Sequence, residues 1–141
     1  MAKFRNQSHA FGSSGIDPRW SHANKDGVGT AYFSASRVWF TTWNGIVTEV
    51  YYPRVDRPQI RDLQYLISDW QSFLHAENRE LATKTERMGK HGLGYRICNS
   101  DPQGRYTITK EVISDPHLSC ILQQTQVTGD PSILSKLQIY A

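Results

Sequence analysis

Two β-rich runs flank the dipeptide Asn44-Gly45, and this arrangement limits the fold more than any other feature of the chain. Arg37 to Trp43 reads RVWFTTW and Ile46 to Tyr52 reads IVTEVYY. A two-residue turn of type I′ needs positive φ at both central positions, which Asn-Gly supplies at low cost. The runs therefore predict an antiparallel hairpin. In the first arm Val38, Phe40 and Thr42 share one face and Trp39, Thr41 and Trp43 the other. In the second arm Val47, Glu49 and Tyr51 oppose Ile46, Thr48, Val50 and Tyr52. Neither arm has a cleanly polar face, so the hairpin should be covered on both sides.

The rest of the chain repeats the strand-and-turn pattern. Met1 to Gly29 reads as an irregular entry segment that Phe11, Ile16 and Trp20 can anchor to a core. Pro53 and Pro58 bracket a charged loop. Leu63 to Ser68 predicts a strand, and Phe73 to Ala82 fits either a strand or a helical turn. Gly89 to Gly94 and Asp101 to Gly104 read as turns around a strand at Tyr95 to Cys98. Arg105 to Ser114, Leu118 to Thr128 and Leu134 to Tyr140 follow as strands, separated by Asp115-Pro116 and Gly129-Asp130-Pro131. Strands at near-regular spacing with turn chemistry between them predict an all-β antiparallel sandwich with little helix. Nothing marks a boundary, so residues 1–141 read as one domain. The apolar strand pattern runs on to Ala141, which suggests an incomplete sandwich prone to self-association.

Charge and composition exclude several functions. The net charge of +3 is spread along the chain with no basic run, which argues against nucleic acid as a partner. No apolar stretch is long enough for a membrane span. Met1 to Phe11 has no apolar core of a secretory signal, which points to a cytoplasmic protein, although a removed signal peptide would leave the same pattern. Cys98 and Cys120 form no CxxC motif. They would pair only if placed on neighbouring strands, and two unpaired core thiols are the simpler reading. His9, His22, His75, His91 and His117 show no ligand spacing and read as surface residues. No metal or cofactor is expected.

A glycosidase needs two carboxylates facing each other across a bond, one with a raised pKa. Glu49, Asp56, Asp62, Asp69, Glu77 and Glu80 supply acids, but their spacing pairs no two of them. They read as solvated or structural groups. Lys25 to Thr30 (KDGVGT) lacks the order of a phosphate loop and reads as a tight turn whose glycines take positive φ. Trp39, Trp43, Tyr51 and Tyr52 could stack on sugar rings, but core or interdomain packing is the default for such aromatics. Glu49, set among Thr48, Val50 and Tyr51, must face solvent or meet a specific partner. The loop carrying Arg54, Asp56 and Arg57 is stiff enough to reach toward a cleft.

KDGVGT (Lys25 to Thr30), RVWFT (Arg37 to Thr41) and GIVTEVYYP (Gly45 to Pro53, with Asp56 after it) together resemble the N-terminal domain of prokaryotic glucoamylases and glucodextranases of glycoside hydrolase family 15. ITKEVISDP (Ile108 to Pro116) and SGIDPRW (Ser14 to Trp20) fit the same family, with Ser14 where the family usually has proline. The resemblance runs from about Phe11 to Ala141. It implies part of a galactose mutarotase-like β-supersandwich that packs against an (α/α)6 barrel. That barrel, with its paired glutamates, lies outside this chain, so the resemblance implies no catalytic residue here. It implies an accessory domain of an α-glucan exo-hydrolase, which meets an α-glucan or oligosaccharide through the complete enzyme. Trp43, Glu49, Tyr51, Tyr52, Arg54 and Asp56 are then the candidates for contact with substrate or barrel. A free-standing carbohydrate-binding module is the alternative. A small mutarotase-like enzyme is a third reading, and it would need a His/Glu pair in an open cleft.

Overall fold

The computed structural model describes residues 23–31, 35–90 and 92–141. Three antiparallel sheets carry the chain. The first contains β1 (Gly27–Thr30), β2 (Trp39–Trp43), β3 (Ile46–Tyr51) and β4 (Pro58–Ile60) in sequence order. The second contains β7 (Ala82–Met88), β8 (Gly94–Ser100), β9 (Tyr106–Ser114) and β10 (Ile121–Gly129), ordered β10-β9-β8-β7. The third is short, with β5 (Leu66–Ser68) flanked by β11 (Gln138–Tyr140) and β6 (Leu74–Ala76). Among the described residues, helix is confined to α1 (Glu77–Glu80) and α2 (Pro131–Leu134).

The long strands of the second sheet serve two cores on one face. Tyr95, Ile97 and Val112 meet Val38, Phe40, Val47 and Val50 of the first sheet region. Further along, Tyr106 and Ile108 meet Ile67 and Leu81, with Tyr65, Phe73 and Val127 packed against them. The opposite face of that sheet is mostly polar, although Ile113 and Leu122 are exposed on it as well. Lys84 pairs with Glu86 at 2.6 Å, and Arg96 with Glu111 at 2.6 Å. This alternation of apolar inside and polar outside is what lets an antiparallel sheet face water on one side.

The hairpin forms as the sequence predicts. Asn44 has φ 44° and Gly45 has φ 86°, and β2 and β3 are buried along most of their length. Phe73 to Ala82 resolves into both predicted forms, the strand β6 and the helical turn α1. The segments Met1 to Trp20, with Phe11, Ile16 and Trp20, and the residues His9, His22 and His91 lie outside the described residues.

Several expectations are corrected. Gly27 to Thr30 is a strand rather than a turn, and its glycines do not take positive φ. They leave room for rings instead. A Cβ on Gly29 would sit 2.1 Å from Phe40, and one on Gly27 would sit 2.4 Å from Tyr95. Glycine in a strand often marks such a close approach. Ala82–Met88 is a full strand that the sequence did not announce. The strand expected from Leu118 starts only at Ile121, because Asp115 caps a turn through the amides of His117 and Leu118 at 2.8 and 2.7 Å. The strand expected from Leu134 shrinks to Gln138–Tyr140, since Asp130 accepts from Ser132 N and starts α2. Cys98 and Cys120 are both free and half-buried.

Candidate functional site

A β-bulge shapes the centre of the hairpin. Phe40 pairs with Val50 and Thr42 with Val47, so Thr41 faces both Thr48 and Glu49. One extra residue on β3 re-aims its side chains, a device common beside binding and active sites. It lets Val47 and Val50 both reach the core although they are three positions apart. It also gathers a polar cluster. The Thr41 hydroxyl accepts from Glu49 N at 3.0 Å, meets Thr48 Oγ1 at 2.6 Å and bonds Glu49 Oε2 at 2.5 Å.

Lys25 closes this cluster from the segment before β1. Its Nζ lies 2.5 Å from Glu49 Oε2 and 3.3 Å from Thr48 Oγ1. Asp26 N donates to Thr42 O at 2.8 Å, and Tyr95 OH bonds both N and O of Val28 at 3.1 and 3.0 Å, so Lys25 is held in reach. Thus KDGVGT and GIVTEVYYP meet through one ion pair. Burial pushes the Glu49 carboxyl upward, but the hydrogen bonds from Lys25 and Thr41 outweigh it and the group ends below its ordinary value. Burial and the Glu49 charge raise the Tyr51 phenol.

The six candidate residues do not form one site. Trp43 is half-buried at the turn end of the hairpin, where it pairs with Ile46. Glu49 lies mid-strand and Tyr51 at the far end, opposite Trp39. Four steps from Trp39 to Trp43 put about 13 Å between the ends, at roughly 3.3 Å per residue. Tyr52 is exposed beyond the strand, before a cis bond to Pro53. Arg54 and Asp56 are exposed and pair with each other at 2.9 Å. Only Tyr51, Tyr52, Arg54 and Asp56 share one end.

A second polar centre was invisible as a site in the sequence. Glu77 is fully buried and receives Lys110 Nζ at 2.8 Å, Asn99 Nδ2 at 2.7 Å and Tyr65 N at 2.8 Å. Lys110 and Asn99 also donate to the Gly45 carbonyl at 2.7 and 2.9 Å. Burial pushes the Lys110 ammonium below its ordinary value, against the pull of Glu77. This network bolts the hairpin turn, α1 and the second sheet together between the two cores. One signal could have found it. In Tyr106, Ile108, Lys110, Val112 the alternation points a lysine inward, where it needs an acid.

His75 corrects the expectation that the histidines are surface residues. It is half-buried, stacks 4.6 Å from Phe73, and shares a 2.8 Å hydrogen bond with Tyr106 OH. Its Nδ1 lies 3.8 Å from Asp101, which holds Arg105 through two contacts of 2.7 and 2.9 Å. The Arg105 guanidinium lies 4.1 Å over the Phe73 ring and pulls the Asp101 carboxyl below its usual range. This cluster is packed among aromatic rings, not set in an open cleft as a mutarotase pair would be.

Several of the acids serve structural contacts. Glu49, Asp69, Glu86, Asp101, Asp115 and Asp130 all have their carboxyls pushed down by hydrogen bonds or cations. A general acid needs the opposite shift. Among the described residues no group of three His, Cys, Asp or Glu side chains could hold a metal ion.

The family described as "Glucodextranase, domain N" matches residues 10–141 of the chain. The chain belongs to that family. A glucoamylase from Clostridium sp. (strain G0005) is 36% identical over 138 residues, which is 98% of this chain but 20% of that enzyme. This domain-N chain also superimposes on the crystal structure of a bacterial glucoamylase complexed with acarbose. The TM-score is 0.81 at 32% identity, over 85% of this chain and 18% of the other. The domain-N chain therefore spans about a fifth of the length of the relatives it matches.

Proposed function

We propose that the chain is the N-terminal accessory β-sandwich domain of an α-glucan exo-hydrolase of glucoamylase or glucodextranase type. It carries no catalytic residue and supports a separate catalytic barrel. The observation that carries this reading is coverage: nearly the whole chain aligns with only a fifth of a glucoamylase. The six downward-shifted carboxylates support it, because none of those six is tuned as a glycosidase acid. Tyr51, Tyr52, Arg54 and Asp56, gathered at one end of the hairpin, are the surface through which this domain would meet barrel or substrate. Trp43 and Glu49 serve the hairpin instead.

The test uses the chain alone and in a chimera. Incubated with maltooligosaccharides, the chain should release no glucose above a blank. When it replaces the matching 138 residues of the related glucoamylase, the chimera should retain hydrolysis. Glucose release by the isolated chain, lost with Glu49→Gln, would overturn the reading.

A further inference from the structure

The inner face of edge strand β7 holds a hydroxyl that the packing does not use. Thr85 sits two residues from Thr83 on that face and pairs with Ile97, which is fully buried. Its Oγ1 is shut off from bulk water and has no hydrogen-bond partner. Valine has nearly the same shape and would fill the place without that cost. A buried polar group left unpaired calls for a reason outside the packing of the fold.

Thr83 and Thr85 line a cleft of about 360 Å³ together with Asp26 and Asn44, so the cleft joins the edge of the second sheet to the hairpin turn. Three of these four side chains are held in place by other bonds. Asn44 N donates to Asp26 Oδ2 at 2.6 Å, Asn44 Nδ2 to Asn78 O at 2.6 Å, and Thr83 Oγ1 to Asn99 Oδ1 at 2.9 Å. Asn99 is itself fixed by the Gly45 carbonyl and Glu77. Side chains locked in this way lose little freedom when a ligand arrives. Among the described residues, Asp26 Oδ1 and Asn44 Oδ1 have no hydrogen bond. Thr83 keeps acceptor capacity, and the Thr85 hydroxyl can both donate and accept.

This set of groups selects its ligand by chemistry. Only polar side chains line the cleft, so a hydrophobic molecule has little to pack on. Asp26 is the one charge among the four, and it repels an anion such as phosphate. A hard cation takes about six to eight oxygen ligands with several carboxylates among them, and here there is one. A neutral polyol fits. Adjacent hydroxyls can donate to the carboxylate and amide oxygens and accept from a threonine. The volume lies within the rough range of 300–1,000 Å³ that small-ligand sites occupy.

The geometry points to this cleft as a binding site for one glucosyl unit of an α-glucan, separate from catalysis, with Asp26, Asn44, Thr83 and Thr85 holding its hydroxyls. The choice of an α-glucan among polyols rests on the function proposed above. The cleft lies at the turn end of the hairpin, away from Tyr51, Tyr52, Arg54 and Asp56. A polymer held there raises the effective concentration of its chain ends at a barrel on the same molecule.

Titration of the isolated chain with maltoheptaose, followed by NMR, tests it. The Asn44 side-chain amide and the Gly45 and Thr85 backbone amides should shift and saturate with a Kd of about 1 mM, as a few hydroxyl contacts in an open cleft allow. Thr85→Val should weaken binding about tenfold, the effect of one lost hydrogen bond, while Tm holds or rises. Asp26→Asn keeps an acceptor for Asn44 N and should weaken binding by a similar factor. Affinity that is unchanged in both variants would overturn the inference, and so would shifts confined to the Trp70 indole. Cellopentaose binding as tightly as maltoheptaose would overturn the assignment to an α-linked glucan. Calcium chloride that moves these signals when maltoheptaose does not would overturn it in favour of a cation. A chimera that hydrolyses glucan beside a chain that binds none would overturn the inference and leave the accessory-domain reading standing. Binding at the cleft with an inactive chimera would do the reverse.

Discussion

Lys110 and Glu77 show how much one residue pair can commit a fold to. Both are buried, and each is satisfied by several partners, so the pair tolerates loss of one member poorly. Glu77→Gln or Lys110→Met alone should cost about 3–5 kcal/mol in urea unfolding, because an uncompensated polar group or charge remains. The double variant should cost well under the sum, and a simple sum would show that the two act independently. Glu49 makes a milder, pH-dependent contribution. Its folded carboxyl titrates below its ordinary value of 4.5, so its stabilisation is present above that pH and fades as pH falls through the folded value. Glu49→Gln should cost about 1.5–3 kcal/mol near neutrality, the usual worth of hydrogen bonds to a charged group. The gap in Tm between the two proteins should close below pH 4.5; a gap that widens on acidification would contradict the assignment. In the sequence, Glu49 stood out as an acid among β-branched and aromatic neighbours. Its partner Lys25 did not, because the ion pair spans 24 positions and depends on a bulge that no local pattern reveals.

Among the elements, the β2–β3 hairpin was the most legible, since Asn44-Gly45 fixes the turn and the pairing next to it, up to the bulge at Thr41. Gly45 has a second reason to be glycine that the sequence hides. A Cβ there would sit 2.4 Å from Asn99 Oδ1 and 2.6 Å from Thr83 Oγ1. Gly45→Ala should therefore cost about 2–4 kcal/mol, adding a left-handed penalty to a disturbed buried hydrogen bond. Gly104→Ala has a similar φ of 72° but open space around it, so only the backbone penalty of about 1–2 kcal/mol applies. Equal losses, measured by thermal unfolding, would show that the contact with Asn99 is unimportant. Strand β7 was illegible for a related reason. Its inward positions Thr83 and Thr85 are not apolar, and its outward positions Lys84 and Glu86 carry charges typical of an edge. Hydrophobic alternation cannot mark a strand whose inner face makes hydrogen bonds to Asn99. Strand β1 was missed because its glycines serve as clearance for Phe40 of the neighbouring strand and Tyr95 of the facing sheet, a packing reason that no local pattern supplies.

At the scale of the whole molecule, the three sheets are unequally secured. The first and second share the core of Phe40, Val47, Ile97 and Val112, and the Glu77 network joins them. Among the described residues, the third has three-residue strands, two open edges and one exposed apolar face. Local opening free energies follow buried contact and protected backbone bonds. Amide exchange in the isolated chain should thus be slowest in β3, β8 and β9, with similar protection for each, because unfolding one exposes the common core. Strands β5, β6 and β11 should exchange faster by sub-global opening, although Ile67 in β5 is fully buried. Breaking the bolt should change the pattern rather than just lower it. With Glu77→Gln, β3 should lose the protection it shares with β9, since Gly45 O then rests on a disturbed Lys110. Uniform exchange across all three sheets, measured by mass spectrometry of peptides from each, would mean that the short sheet is as firmly held as the others and that its bare face carries no energetic penalty in water.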